Sequence, residues 1–98
     1  MYEPFLSVRA NYLFLNRSAF EMLGAPEVVE IKHKKTDIYI YPSKEGYPVK
    51  CINSRIAILK TNHINKWLKN KNALEGNLRL YGQKEMDGMV FRIKEIES

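Results

Sequence analysis

Apolar and polar positions follow one order twice along the chain. A short apolar strand leads to a polar capping residue, an amphipathic helix, and two alternating strands joined by a polar turn. In the first half the order runs Tyr12-Leu13-Phe14-Leu15, Asn16 to Leu23, Val28 to His33, Ile38 to Tyr41. In the second it runs Ile56-Ala57-Ile58-Leu59, Thr61 to Leu68, Asn77 to Tyr81, Met89 to Ile93. This predicts an α+β domain over residues 1–98, with small antiparallel sheet and two short helices. A shift of about 45 residues aligns the halves, making 5–42 and 49–95 two pseudo-repeated strand-helix-hairpin units; an unrepeated α+β domain explains the same order.

Local chemistry sets the boundaries. Ser18-Ala19-Phe20-Glu21 has capping-box spacing and competes with Asn16 for the helix cap. Gly24 and Pro26 stop the helix near Leu23, with Phe20 and Leu23 inward. Val29, Ile31 and His33 alternate with Val28, Glu30 and Lys32, the period of a half-buried strand. Lys34 to Asp37 turns the chain back into Ile38-Tyr39-Ile40-Tyr41, which Pro42 ends. Ser43 to Tyr47 is the only linker-like stretch. Val49 to Leu59 reads as one long or two broken strands, interrupted at Asn53-Ser54. The second helix, of about eight residues, puts Ile64, Trp67 and Leu68 on one side, so Trp67 is expected as a core anchor. Asp87-Gly88 supplies a tight hairpin turn.

Size allows one core, because a chain of 98 residues hides only about 60–65% of its unfolded surface. An apolar content of 45% is that of a folded chain. No apolar run nears a membrane span, and Met1-Tyr2-Glu3-Pro4 lacks the layout of a signal peptide, so a cytoplasmic protein is expected. The lone Cys51, on a strand, is expected to be a buried thiol.

Charge sharpens this picture. Residues 1–49 carry six basic and six acidic groups, so the net charge of +5 belongs to the second half. Gly46 to Leu74 holds no Asp or Glu but includes Lys50, Arg55, Lys60, Lys66, Lys69 and Lys71. A one-signed field of this kind attracts a polyanion; a merely lysine-rich surface has the same composition.

Chemical motifs are sparse. His33 and His63 lie in different halves, no metal-ligand spacing occurs, and the five glycines form no nucleotide-binding loop. Ser18 and Ser54 have no marked base. A non-enzymatic protein without metal or cofactor is expected. On the second helix, Lys66 and Lys69 suit phosphates, and Asn62 or Asn65 suits an adenine edge in the major groove, although an exposed face solvated by Asn explains them equally. Tyr39 and Tyr41 suit either a stacking platform or cross-strand packing.

Two resemblances add context. Leu15-Asn16-Arg17-Ser18-Ala19-Phe20-Glu21-Met22-Leu23-Gly24, with Val28 to Ile31 and Ile38 to Pro42, resembles the AbrB/SpoVT swapped-hairpin DNA-binding family. Asn16 stands where that family has Pro, and Pro26-Glu27 where it has Gly-Asp. The resemblance implies an interleaved sheet with a basic face on DNA, Arg17 at the family's basic position and Arg9 as a looser match. Ala19 to Glu27, Cys51 to Ser54 and Met89 to Lys94 resemble segments of small proteins encoded on mobile elements of Gram-positive bacteria. That context implies a regulator of element transfer or an inhibitor of host defence, anti-CRISPR proteins included.

The expected function is therefore nucleic-acid binding, duplex DNA foremost, through Arg9, Arg17, Arg55, Lys60, Asn62, Asn65, Lys66, Lys69 and Lys71. The alternative is a protein that inhibits a host-defence nuclease by binding it. A homodimer is compatible with either.

Overall fold

A computed structural model describes residues 3–9, 12–34, 37–72 and 78–92, without the side chains of residues 69–72, 78 and 79. The described chain forms eight strands and two helices: β1 Phe5–Val8, β2 Leu13–Leu15, α1 Arg17–Met22, β3 Val28–Lys34, β4 Asp37–Pro42, β5 Tyr47–Ile52, β6 Arg55–Ile58, α2 Asn62–Asn72, β7 Leu78–Glu85 and β8 Gly88–Arg92. All pairings are antiparallel, and the strands close into one barrel in the order β1-β2-β6-β5-β3-β4-β8-β7.

The closed barrel corrects the expectation of an α+β domain with small antiparallel sheets and two short helices. Each segment keeps its local form, but the sheet dominates because both rims of the sheet find each other. Phe5 pairs with Tyr81 and Leu6 with Leu80, so the first strand seals the last turn of the barrel. The strand expected ahead of the first helix, beside Arg9, is β1, where Leu6 and Val8 alternate with Ser7; no local signal names β7 as its partner.

Exchanging β1 with β5, β2 with β6, β3 with β7 and β4 with β8 carries the barrel order onto itself. The two hairpins of each half, β1-β2 with β3-β4 and β5-β6 with β7-β8, do not pair with each other. Their barrel neighbours are β1·β7, β2·β6, β3·β5 and β4·β8, each crossing from one half to the other.

Two strands change partners midway. β5 pairs with β3 through Tyr47 and Pro48, then with β6 through Val49 to Ile52. β7 pairs with β1 through Leu78 to Tyr81, then with β8 from Gly82 onward. At that bend a Cβ on Gly82 would lie 2.5 Å from the Phe91 ring, so the missing side chain lets the ring fill the interior. These partner changes divide the wall into two broad faces, one around β1, β2 and β6, the other around β3, β4 and β8.

Leu6, Leu13, Ile38, Ile40, Ile58, Leu80, Met89 and Phe91 fill the barrel, as expected for an eight-stranded barrel whose interior is just wide enough for side chains. Helix α1 adds Ala19, with Leu23 at its end, while α2 adds Ile64 and Leu68. Phe20 and Trp67 pack against this core half-buried.

Turn chemistry explains the remaining boundaries. Asn16, not Ser18, caps α1, accepting from the Ala19 amide at 3.0 Å. Gly24 (φ 85°) and Ala25 (φ 51°) lead the chain off the helix end. Asn53 and Ser54 both have positive φ, 49° and 66°, the pattern of a two-residue hairpin turn, and join β5 to β6. The expected Asp87-Gly88 turn is displaced by one residue. Met86 (φ 53°) and Asp87 turn the chain, while Gly88 pairs with Glu85 where a Cβ would run into the Ile40 carbonyl oxygen. The expected element ends at Asn77 and Ile93, and Lys35-Thr36 of the expected turn, lie outside the described residues.

Candidate nucleic-acid interface

Arg9, Arg17 and Arg55 come from β1's end, the first residue of α1 and the start of β6, and the fold brings all three to one groove. It encloses about 420 Å³ and is lined also by Phe5, Ser7, Phe14, Asn16, Cys51 and Ser54. No carboxylate lines it among the described residues. The register builds this face: Ser7 opposes Phe14, which opposes Ala57, which opposes Lys50, so these four share the outer side of the wall. One step along, Ile52 opposes Arg55, whose guanidinium lies 6.0 Å from the Phe14 ring centre.

Two asparagines hold the face in shape. The Asn16 carbonyl oxygen accepts from Phe5 N and Ala19 N, both at 3.0 Å, and its amide donates to the Glu3 carbonyl at 2.8 Å. One side chain thus ties β1 to the helix start and sets Arg17 at the groove's edge. Asn65 does the corresponding work at the other end of β1. It accepts from the Thr61 hydroxyl at 2.8 Å and donates to the carbonyls of Arg9 and Tyr12, the latter at 3.2 Å. At 1% exposure Asn65 faces no base edge; it anchors the strand ends that carry Arg9 and Tyr12.

The other residues expected in the site lie apart from the groove. Lys60 (φ 62°) is exposed between β6 and α2, and Asn62 and Lys66 are exposed on α2. Lys69 and Lys71 belong to α2, but their side chains lie outside the described set. Helix α2 is itself tied to the barrel. His63 Nε2 lies 2.8 Å from the Tyr47 hydroxyl, and the His33 and Trp67 rings meet with centres 4.3 Å apart and a 38° tilt. Burial, with Glu30's negative charge adding to it, raises the Tyr47 hydroxyl's pKa above its ordinary value.

Cys51 is exposed and lines the groove, correcting the expectation of a buried thiol. The reason is local: residues 50–55, spanning the end of β5, its turn and the start of β6, are all exposed. The sequence reading also missed the aromatic groups around the arginines, Phe5, Tyr12, Phe14 and Tyr81. Their signal was the alternation of aromatic with Leu positions in Tyr12 to Leu15.

The opposite face differs. Tyr39 and Tyr41 meet there with ring centres 5.2 Å apart and a 34° tilt, and Lys32 Nζ sits 5.8 Å from the Tyr41 ring centre. Its surrounding charges are mixed: Asp37, paired with Arg92 at 3.5 Å, Glu85 and Asp87 stand among them. No one-signed field forms there.

Fold and groove together define a small closed antiparallel barrel with an arginine-lined, aromatic outer face. Comparison with known proteins finds no matching family model, curated protein or solved structure. Among the described residues no helix is long and apolar enough to cross a membrane, and no three His, Cys, Asp or Glu side chains group as a metal site.

Proposed function

We propose that the protein is a non-enzymatic nucleic-acid-binding protein whose contact surface is the Arg9-Arg17-Arg55 groove. One observation carries this reading: three arginines from separate elements converge on one groove that no described carboxylate lines. Arginine suits phosphate because its planar fork donates two parallel hydrogen bonds. Arg17 also holds the basic position in the resemblance to the swapped-hairpin family, which supports DNA as the ligand; the separate resemblance to small mobile-element proteins supports a regulator encoded on such an element. Exposed Lys60 and Lys66 extend the positive field beyond the groove.

The test is fluorescence anisotropy with labelled oligonucleotides across a salt series. If all three arginines meet phosphates, log Kd changes with log salt with a slope of about 2 to 3, taking 0.7 to 0.9 per phosphate. Arg17→Glu and Arg55→Glu together abolish binding at moderate salt, whereas Lys44→Glu, on an exposed loop, leaves it close to wild type. Absence of binding at low salt refutes the proposal.

A second reading, inhibition of a host-defence nuclease, rests on the opposite face. There Met86, 85% exposed, tips the β7-β8 hairpin beside Tyr39 and Tyr41. It predicts a protein complex of low salt sensitivity that Met86→Lys disrupts and the arginine variants do not.

A further inference from the structure

The end of the β5-β6 hairpin overhangs the barrel. By register Cys51 opposes Ile56, Ile56 opposes Leu15 and Leu15 opposes Leu6, which places Cys51 in a row that faces the core. Leu6 and Leu15 are buried in that row, yet Cys51 is exposed. Residues 50–55 are exposed whichever face of the ribbon they occupy, as happens where a hairpin extends past the wall its strands belong to. The two-residue turn Asn53-Ser54 closes this projection, and beside it Ile52 keeps 37% of its surface exposed. The arginine groove runs alongside: Cys51, Ser54 and Arg55 of the ribbon line it together with Asn16 and Arg17 at the start of α1.

We infer that this ribbon enters the major groove of duplex DNA and reads an A·T pair there, with Asn53 on the adenine edge and Ile52 on the thymine methyl group, while the phosphates of one strand lie in the arginine groove. The inference rests on the groove reading and names its ligand and its reading element. Size is the first argument. Two strands roughly 4.8 Å apart make a ribbon of the kind that the major groove, about 12 Å wide, admits. From the Cys51-Ile56 pair to the turn the chain rises about three residues, roughly 10 Å at about 3.4 Å each, against a groove depth of about 8.5 Å. The projection therefore reaches the base edges.

Charge and side-chain chemistry make the second argument. An element seated in the major groove has a phosphate backbone on either side of it, and the groove beside the ribbon offers Arg9, Arg17 and Arg55 with no described carboxylate. From Gly46 to Leu74 the chain holds no Asp or Glu, so nothing on the ribbon repels a phosphate. Arg55 is turned toward the groove, its guanidinium 6.0 Å from the Phe14 ring centre, which leaves the turn to meet the bases. Asparagine binds the adenine edge through two hydrogen bonds, and an apolar side chain packs on the thymine methyl group, so Asn53 and Ile52 together match A·T. An exposed isoleucine at a polar tip thereby gains an apolar contact.

The experiment uses the full chain at matched salt with labelled A·T-rich and G·C-rich duplexes and a single strand, all of one length. In a further duplex every adenine of the A·T-rich sequence is replaced by a deaza analogue that lacks the major-groove ring nitrogen. The A·T-rich duplex is expected to bind about 5- to 150-fold more tightly than the G·C-rich one, the discrimination of one good bidentate contact. The analogue abolishes that preference, although it leaves the minor groove unchanged. Asn53→Gly, which suits the φ of 49° there, abolishes it too and keeps the salt slope. Uracil in place of thymine weakens binding by the wild type, whereas Ile52→Ser binds both duplexes alike. Both positions are exposed, and a thermal transition kept by each variant separates lost reading from lost fold. Equal binding of the A·T-rich and G·C-rich duplexes overturns this inference and leaves the groove reading standing. So does a preference that survives the analogue or Asn53→Gly, and so does arginine-dependent binding of the single strand alone. No binding by any probe at low salt overturns both.

Discussion

Asn65 is the side chain whose removal most directly tests how the barrel supports its arginine face. Its amide satisfies the Arg9 carbonyl and one of the two hydrogen bonds at the Tyr12 carbonyl, the other coming from Arg9 N at 3.0 Å. Its oxygen accepts the Thr61 hydroxyl. In Asn65→Ala the Tyr12 carbonyl keeps a partner and the Thr61 hydroxyl can rotate, but the Arg9 carbonyl loses the amide. The three side-chain hydrogen bonds lost, at a net of about 1 kcal/mol each, cost about 3 kcal/mol in all. For a chain of this size that lowers Tm by about 12–24 °C. It is a large part of the 5–15 kcal/mol that holds a typical domain together, yet leaves it folded.

Asn65→Asp separates hydrogen bonding from mere filling of space. The introduced carboxylate still accepts from Thr61, but it has no proton to donate and faces two carbonyl oxygens in a dry site. Burial and those oxygens hold its folded pKa above the unfolded value. The sign follows from proton counting: below the unfolded value of about 3.9 both states carry the proton, and the acid form donates to the Arg9 carbonyl as the amide did. As pH rises, the unfolded chain gives up the proton first, and stability falls until the folded carboxyl ionises. Asn65→Asp is therefore weakest at neutral pH and recovers on acidification, while Asn65→Ala shows no recovery relative to wild type. Urea unfolding followed by Trp67 fluorescence at neutral and mildly acidic pH reads both. A cost below about 1 kcal/mol for Asn65→Ala, well under the buried-bond estimate, or an acid response of Asn65→Asp equal to that of Asn65→Ala, refutes the reasoning.

Further outcomes are expected elsewhere. Gly82→Ala forces a methyl against the buried Phe91 ring and costs about 1–3 kcal/mol by overpacking, and in a double-mutant cycle Phe91→Leu recovers part of it. Tyr47's pKa is raised in the folded state by burial and by Glu30, so above pH 10.0 the unfolded chain ionises first and stability declines. In alkaline thermal melts Tyr47→Phe removes that component, and a decline unchanged in the variant refutes the assignment. Cys51, exposed in the groove, reacts fully with a thiol reagent in the native state; the bulky adduct blocks oligonucleotide binding, and bound oligonucleotide slows the reaction.

Local structure was legible because short-range chemistry determines it. Gly24 and Pro26 end α1, Asn53-Ser54 breaks the long strand into a hairpin, and Ile64 and Leu68 mark the buried side of α2. Closure was not legible, since it depends on Phe5 meeting Tyr81 across almost the whole chain, and no local period encodes that encounter. The same distance hid the site. Arg9 and Arg17 sit in the half whose charges cancel, and only the pairing of β2 with β6 sets them beside Arg55. Asn65 was misleading in another way: Thr61, Ile64, Asn65 and Leu68 have the i, i+3, i+4, i+7 spacing of the inward stripe, but its polarity grouped it with exposed Asn62 and Lys66. Gly88 was read as a turn former because Asp-Gly favours turns, but the close approach of the Ile40 carbonyl reserves it for the strand.

The pairing map carries a last consequence for folding. Within residues 3–42 the β1-β2 and β3-β4 hairpins share no ladder; each needs a strand from beyond the Ser43 to Gly46 loop, and the same holds in reverse. An isolated two-stranded hairpin is marginal in water, and three or more strands with an apolar face are needed for independent stability. Neither half alone meets that condition, whereas together they bury every rim. Fragments 1–44 and 45–98, cut between exposed Lys44 and Glu45, are therefore expected to lack cooperative unfolding transitions separately. Mixed, they regain both the transition and the arginine groove, because its arginines come from both fragments. Circular dichroism melts of each fragment and of the equimolar mixture decide the matter. A sharp transition in either fragment alone would mean that the ladders crossing between halves are not what holds the barrel together.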